Sequence, residues 1–153
     1  MVILLDIDGV LVTTPAWRKA EIEADGFLKF NEVASKNLAR IINETNATIV
    51  LTTTHRITYS LEKWNAILNA RGIYPSSISK INDKDSLRTM ADRATEIKAW
   101  VDELDPSVKY VVIDDDTSIN NLPAAIKNRW VLTKSMIGLD DTAAEKALVI
   151  LLS

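Results

Sequence analysis

An apolar run that ends in two aspartates one residue apart, with a glycine close behind, constrains this chain more than any other feature. Val2, Ile3, Leu4 and Leu5 show no polar alternation, the pattern of a central parallel strand covered on both faces. In strand geometry Asp6 and Asp8 point to the same face. Like charges so placed repel unless a cation or a shared proton sits between them. A plain turn needs no such pair.

The rest of the chain alternates between strand-like and helix-like periods. "ATIVLTTT", "VKYVVI" and "RWVLT" read as further strands, and "IYPSSISKI" as a short strand with a loop. After an irregular stretch from Thr13 to Phe30, Asn31 looks like the cap of a helix with Ala34, Leu38, Ile41 and Ile42 on one face. "SLEKWNAILNARG" predicts a helix with Leu61, Trp64 and Leu68 inward and Gly72 at its stop. Ile97, Trp100, Val101 and Leu104 form one stripe of another helix. The last helix carries a Thr142 to Glu145 capping box. This order predicts an α/β, Rossmann-like three-layer sandwich around a mostly parallel five-stranded sheet.

Composition narrows the chemistry. The 153 residues, 47% apolar and 25% charged, suit a single domain over 1–153. The absence of cysteine excludes disulfides and thiolate catalysis, and fits a cytoplasmic setting. With His55 as the single histidine, a divalent ion must be held by oxygens, which favours magnesium. A net charge of -3 argues against indiscriminate nucleic-acid binding. Neither a leader-like segment nor an apolar run of membrane-span length is present, and no obligate protein partner is evident.

The polar residues at the strand ends complete a pattern. Asp6 and Asp8 follow the first strand, Thr52 to Thr54 the second, and Asp114 to Asp116 the fourth. Parallel strands present their carboxyl ends along one edge, where open α/β sheets bind ligands. Arg93, at the start of the helix that feeds the fourth strand, belongs near the same edge. Acids, a hydroxyl and a cation on one crevice suit magnesium-assisted phosphoryl transfer.

With those residues in place, "DIDGVLV" resembles the first motif of the haloacid dehalogenase-like superfamily of phosphohydrolases. The later hydroxyl, cation and acid pair follow the order of that superfamily's remaining motifs, with Arg93 where lysine is commonest. "IVLTTTHR" and "RATEIKAWV" are similar to the compact domains of multi-domain RNA-repair proteins. The resemblance implies that Asp6 is the nucleophile and Asp8 the general acid and base. It also implies Mg2+ held by Asp6, the Asp8 carbonyl and Asp114 or Asp115. Thr52 then donates to a phosphoryl oxygen and Arg93 stabilises the transferred group.

Further candidates surround this set. Gly9 permits a tight turn beneath the phosphate. Thr53 and Arg56 are candidate substrate contacts, although Thr53, Thr54 and His55 also suit the start of a helix, the reading preferred for His55. Trp17 can stack on a base or pack in its loop, and Lys134 can reach a ligand from the rim. Lys80 and Lys84 are rivals to Arg93. The stretches from Val10 to Ala47 and from Thr54 to Asp92 leave no residues for an independent cap domain, so bulky phosphate esters are expected to reach the site. A phosphorylated nucleic-acid end or a nucleotide is the expected substrate. The alternative is a phosphate-binding or receiver-like signalling module without turnover, which strand three disfavours by offering no phosphoacceptor aspartate.

Overall fold

The computed structural model of the protein describes residues 1–15, 17–82 and 91–153. Its strands are β1 (Val2–Leu5), β2 (Thr48–Leu51), β3 (Ile78–Lys80), β4 (Tyr110–Asp114) and β5 (Trp130–Leu132). All pair in parallel in the order β3-β2-β1-β4-β5. The helices are α1 (Glu32–Thr45), α2 (Leu61–Ala70), α3 (Arg93–Asp102), the short α4 (Ala124–Lys127) and α5 (Asp141–Leu152). The sheet is thus wholly parallel, where mostly parallel was expected.

The unbroken apolar character of the strands follows from burial on both sides. Ile3 and Leu5 of β1, Ile49 and Leu51 of β2, and Val111 and Ile113 of β4 enter one core with α1, α2 and α5. The alternate residues Leu4, Val50, Tyr110 and Val112 enter a second core with Ile97 of α3 and Ile126 of α4. Two layers of helices therefore cover one sheet. Among the described residues there is no cap domain, and no helix is long and apolar enough to cross a membrane.

Most local signals act as the side chains dictate. Asn31 caps α1 by accepting from the Ala34 N–H at 3.0 Å, and Ser60 caps α2 through Lys63. Gly72 follows α2 with φ +80°, the left-handed conformation a chain reversal needs there. Two readings need correction. Leu61, expected inward, is 39% exposed, and Trp64, Ile67 and Leu68 form the buried face. The cap of α5 is Asp140, which accepts from Ala143 at 2.9 Å. Thr142 already lies inside the helix, and an earlier carboxylate fills the capping position.

The strand order carries the functional consequence. The chain moves from β1 outward through β2 to β3, then crosses to β4 on the other side of β1. The carboxyl ends of β1 and β4 therefore flank the switch point of the sheet, where the two directions of winding leave a crevice.

Candidate active site

Register determines which residues meet in that crevice. Leu5 pairs with Leu51 and with Ile113, so one step further Thr52, Asp6 and Asp114 share a row. The Asp6 N–H donates to the Ile113 carbonyl at 3.1 Å and the Thr52 N–H to the Leu5 carbonyl at 2.9 Å, extending the ladder to this row. Carboxylate oxygens of Asp6, Asp114 and Asp115 lie within 4.8 Å of one another.

Arg93 supplies the cation at this cluster. At the first turn of α3, its Nη1 is 2.5 Å from Asp114 Oδ2 and 3.3 Å from Asp6 Oδ1. Burial, then the charge of Asp114, push the Asp6 pKa up to about 8 against the pull of Arg93. Burial also raises Asp114, although Arg93 and the Asp116 N–H, which donates to its Oδ1 at 3.0 Å, act in the opposite direction. Burial works against the charge of Arg93, but the two carboxylates outweigh it and its pKa is raised.

The turn after β1 explains its glycine. Val10, Leu11 and Val12 direct their N–H groups at the Ile7 carbonyl, so the backbone doubles back at once. Gly9 sits at φ +81°, and a Cβ there would fall 2.1 Å from Asp115 Oδ2. Glycine thus serves both the turn and the approach of an acid from the neighbouring loop. Thr133 Oγ1, beyond β5, donates to the Gly9 carbonyl at 2.7 Å, and Ser135 Oγ donates to Asp115 at 2.7 Å. Neither was singled out from sequence, because each acts on a residue more than a hundred positions or one strand away.

Thr52 is fully buried and its Oγ1 has no hydrogen-bond partner. A buried hydroxyl left unsatisfied is costly, so the row holds a donor suited to an incoming oxygen. Thr53, also buried, uses its hydroxyl oxygen to accept from the His55 N–H at 3.2 Å and starts the 3-10 turn Thr54–Ile57. Its hydroxyl oxygen serves as a cap here.

Arg56 requires the clearest correction. Expected as a phosphate contact, it is 1% exposed and each of its guanidinium nitrogens donates to a protein oxygen. Nη2 donates to Glu96 Oε2 at 2.6 Å, Nε to the Ile81 carbonyl at 2.8 Å, and Nη1 to the carbonyls of Thr52 and Thr53 at 3.2 and 3.0 Å. The residue braces the Thr52 loop against α3 from behind. Lys80 is likewise directed elsewhere, donating to the Tyr59 carbonyl at 2.6 Å. Lys84 lies outside the described residues. Trp17 and Lys134 are exposed on loops.

His55, read from sequence as a helix starter, instead reaches Asp8, with Nε2 2.8 Å from Asp8 Oδ2. The signal available in sequence was only its uniqueness and its place three residues beyond the strand-end hydroxyl of Thr52.

The donor set fits a magnesium ion. Three hard oxygen donors converge with one arginine among them, and the glycine cradle lets the third approach. Fold and site together define a parallel α/β domain with a cluster of acids around one arginine at its topological switch point. Residues 2–144 match the family described as the HAD domain in Swiss Army Knife RNA repair proteins, and the chain belongs to that family. Membership supports a phosphatase-like hydrolase in general terms. No curated protein is significantly similar to the chain.

Proposed function

We propose that the protein is a magnesium-dependent phosphomonoester hydrolase that works through an aspartyl phosphate on Asp6. One observation carries this reading: the buried carboxylates of Asp6 and Asp114, with Asp115, converge around Arg93 beside an unpartnered Thr52 hydroxyl. An isolated structural ion pair would not need the third acid or the vacant hydroxyl.

Asp6 attacks phosphorus and the bond to the ester oxygen breaks. Asp8 gives its proton to the departing alkoxide. Asp8, now a carboxylate, takes a proton from water as that water attacks the phosphoryl group. Inorganic phosphate leaves and the Asp6 carboxylate is restored. Thr52 donates to a non-bridging oxygen, and Arg93 turns part of its charge toward the phosphoryl group. Asp6, Asp114 and Asp115, with the Asp8 carbonyl, would hold magnesium, which supplies charge neutralisation to the nucleophile and the phosphoryl oxygens.

The substrate class we favour is a phosphorylated nucleic-acid end, with a nucleotide next. The support is an edge without a cap among the described residues, the exposed Trp17, and the basic residues Arg18, Lys19 and Lys134 on exposed loops. The name of the matched family points the same way. The test is phosphate release from aryl and nucleotide esters with and without magnesium, followed by acid quench and mapping of the phosphorylated residue. Turnover with the label on Asp6 supports the reading. A stable phosphoprotein without turnover supports the receiver-like alternative, and neither product overturns both.

A further inference from the structure

The contact between His55 and Asp8 joins two residues from different loops and is not needed to hold either strand. Asp8 is 59% exposed in its side chain, so packing alone does not select its rotamer. His55 Nε2 meets its Oδ2 at 2.8 Å. The histidine, by contrast, is held on several sides. Its N–H donates to Thr53 Oγ1 at 3.2 Å, and its carbonyl accepts from Thr58 at 2.9 Å. Its ring stands edge-on to Phe27, with centroids 5.5 Å apart at 87°.

Phe27 is itself fixed. It is 5% exposed and packs edge-to-face on Phe30, Tyr59 and Trp64. The Ile22–Leu28 hairpin that carries it is tied to α2 by Arg71, which makes paired contacts to Asp25 at 2.6 and 3.1 Å. A packed aromatic wall therefore sets the direction of the imidazole, and the imidazole meets an otherwise exposed carboxyl group.

We propose that His55 is a positioning residue for Asp8: its Nε2–H donates to Oδ2, leaving Oδ1 as the oxygen that gives and takes the catalytic proton. This rests on the phosphatase reading above. Placement of a proton-transferring group within hydrogen-bond reach governs its efficiency. The effect must therefore be greatest where the leaving group needs its proton most. An alkyl phosphate needs it to depart, whereas a nitrophenolate departs without help.

The test compares kcat/KM on an alkyl phosphate and on p-nitrophenyl phosphate for wild type, His55→Phe and His55→Gln. His55→Phe keeps a ring against Phe27 and removes the donor, whereas His55→Gln offers an amide N–H in place of Nε2–H. H55F is expected to lose about tenfold or more on the alkyl ester and less than about threefold on the aryl ester. H55F should also accumulate phosphoenzyme on the aryl ester, since water attack still needs Asp8. H55Q is expected to recover most of the alkyl activity. An equal loss by H55F on both esters, no loss at all, or an H55Q no better than H55F overturns the assignment of His55 alone. A wild type that cleaves neither ester nor a phosphorylated oligonucleotide end, itself an alkyl phosphate, overturns the phosphatase reading, and this inference with it.

Discussion

Arg93 and Asp114 form an ion pair closed at 2.5 Å on the side of the sheet where Asp6 also lies within 3.3 Å of the same guanidinium nitrogen. One cation thus answers two buried acids from the first turn of α3. Its removal leaves those acids facing each other without compensation and takes a charged donor from the phosphoryl site. Arg93→Ala is expected to lower kcat by about 10²–10³-fold, the usual effect of deleting such a donor. Lys80→Ala, whose ammonium group is engaged by the Tyr59 carbonyl, should leave kcat nearly unchanged. Steady-state kinetics of the two variants decide between these residues, and a crippled K80A beside an active R93A would refute the assignment.

Asp6 gives the metal-free protein a distinctive pH dependence. Burial and Asp114 raise its pKa from 3.8 to about 8 in the folded state. Between those values the folded protein retains a proton that the unfolded chain releases, so stability falls as pH rises through this window. Asp114, also raised, adds to the same slope. In EDTA, thermal or urea unfolding should show this decline between about pH 4 and pH 8. Asp6→Asn should flatten it and exceed wild type at pH 8 by on the order of a few kcal/mol. Magnesium should stabilise wild type more at pH 8 than at pH 6, because binding competes with the proton. A flat wild-type profile in EDTA would contradict the coupling.

The ion pair of Arg56 and Glu96 is sealed from solvent, with side chains 1% and 2% exposed. It connects the loop of Thr52 to the helix of Arg93, so two parts of the site share one brace. Breaking a buried pair strands a charge, and Arg56→Ala is expected to cost about 3–5 kcal/mol in chemical denaturation. The activity lost should exceed that of an exposed-loop variant such as Lys134→Ala, even though the Arg56 guanidinium is turned to Glu96 and backbone carbonyls. Unfolding curves and kcat measured on the same samples check both parts.

Features with a local period or a local cap were legible in the sequence. The strand residues of β1, β2 and β4, the Asn31 cap, and the left-handed Gly72 each depend on neighbours within a turn or two. The row of Thr52, Asp6 and Asp114 was legible because parallel strands share an edge. What escaped depends on partners distant in sequence. Arg56 looked like a substrate contact because Glu96 lies 40 residues away, and His55 looked like a helix starter because Asp8 lies 47 residues away. Composition cannot separate a buried arginine from a solvated one when the partner comes from another layer of the fold. Asp140 displaced the expected Thr142 cap for a simpler reason: both residue types are good caps, and the helix already begins at Asp141, which leaves Asp140 in the cap position.

The open edge leads to a prediction about substrate size. Between β1 and α1 the described residues build a tight turn and the Ile22–Leu28 hairpin, whose Phe27 faces inward. Among the described residues of that segment, none forms a separate domain over Asp6. Trp17, 78% exposed in the same segment, offers a face on which a base can stack, and Arg18 and Lys19 beside it are exposed cations. Stacking on an aromatic face contributes about 1–3 kcal/mol per base, enough to favour a strand over a single nucleotide. A phosphorylated oligonucleotide should therefore exceed the matching mononucleotide in kcat/KM by about tenfold or more. Trp17→Ala should narrow that gap while leaving the mononucleotide rate unchanged. Added salt should narrow it too, as expected for contacts to a polyanion. Equal rates on the two substrates would leave the phosphatase chemistry standing and remove the nucleic-acid end as its target.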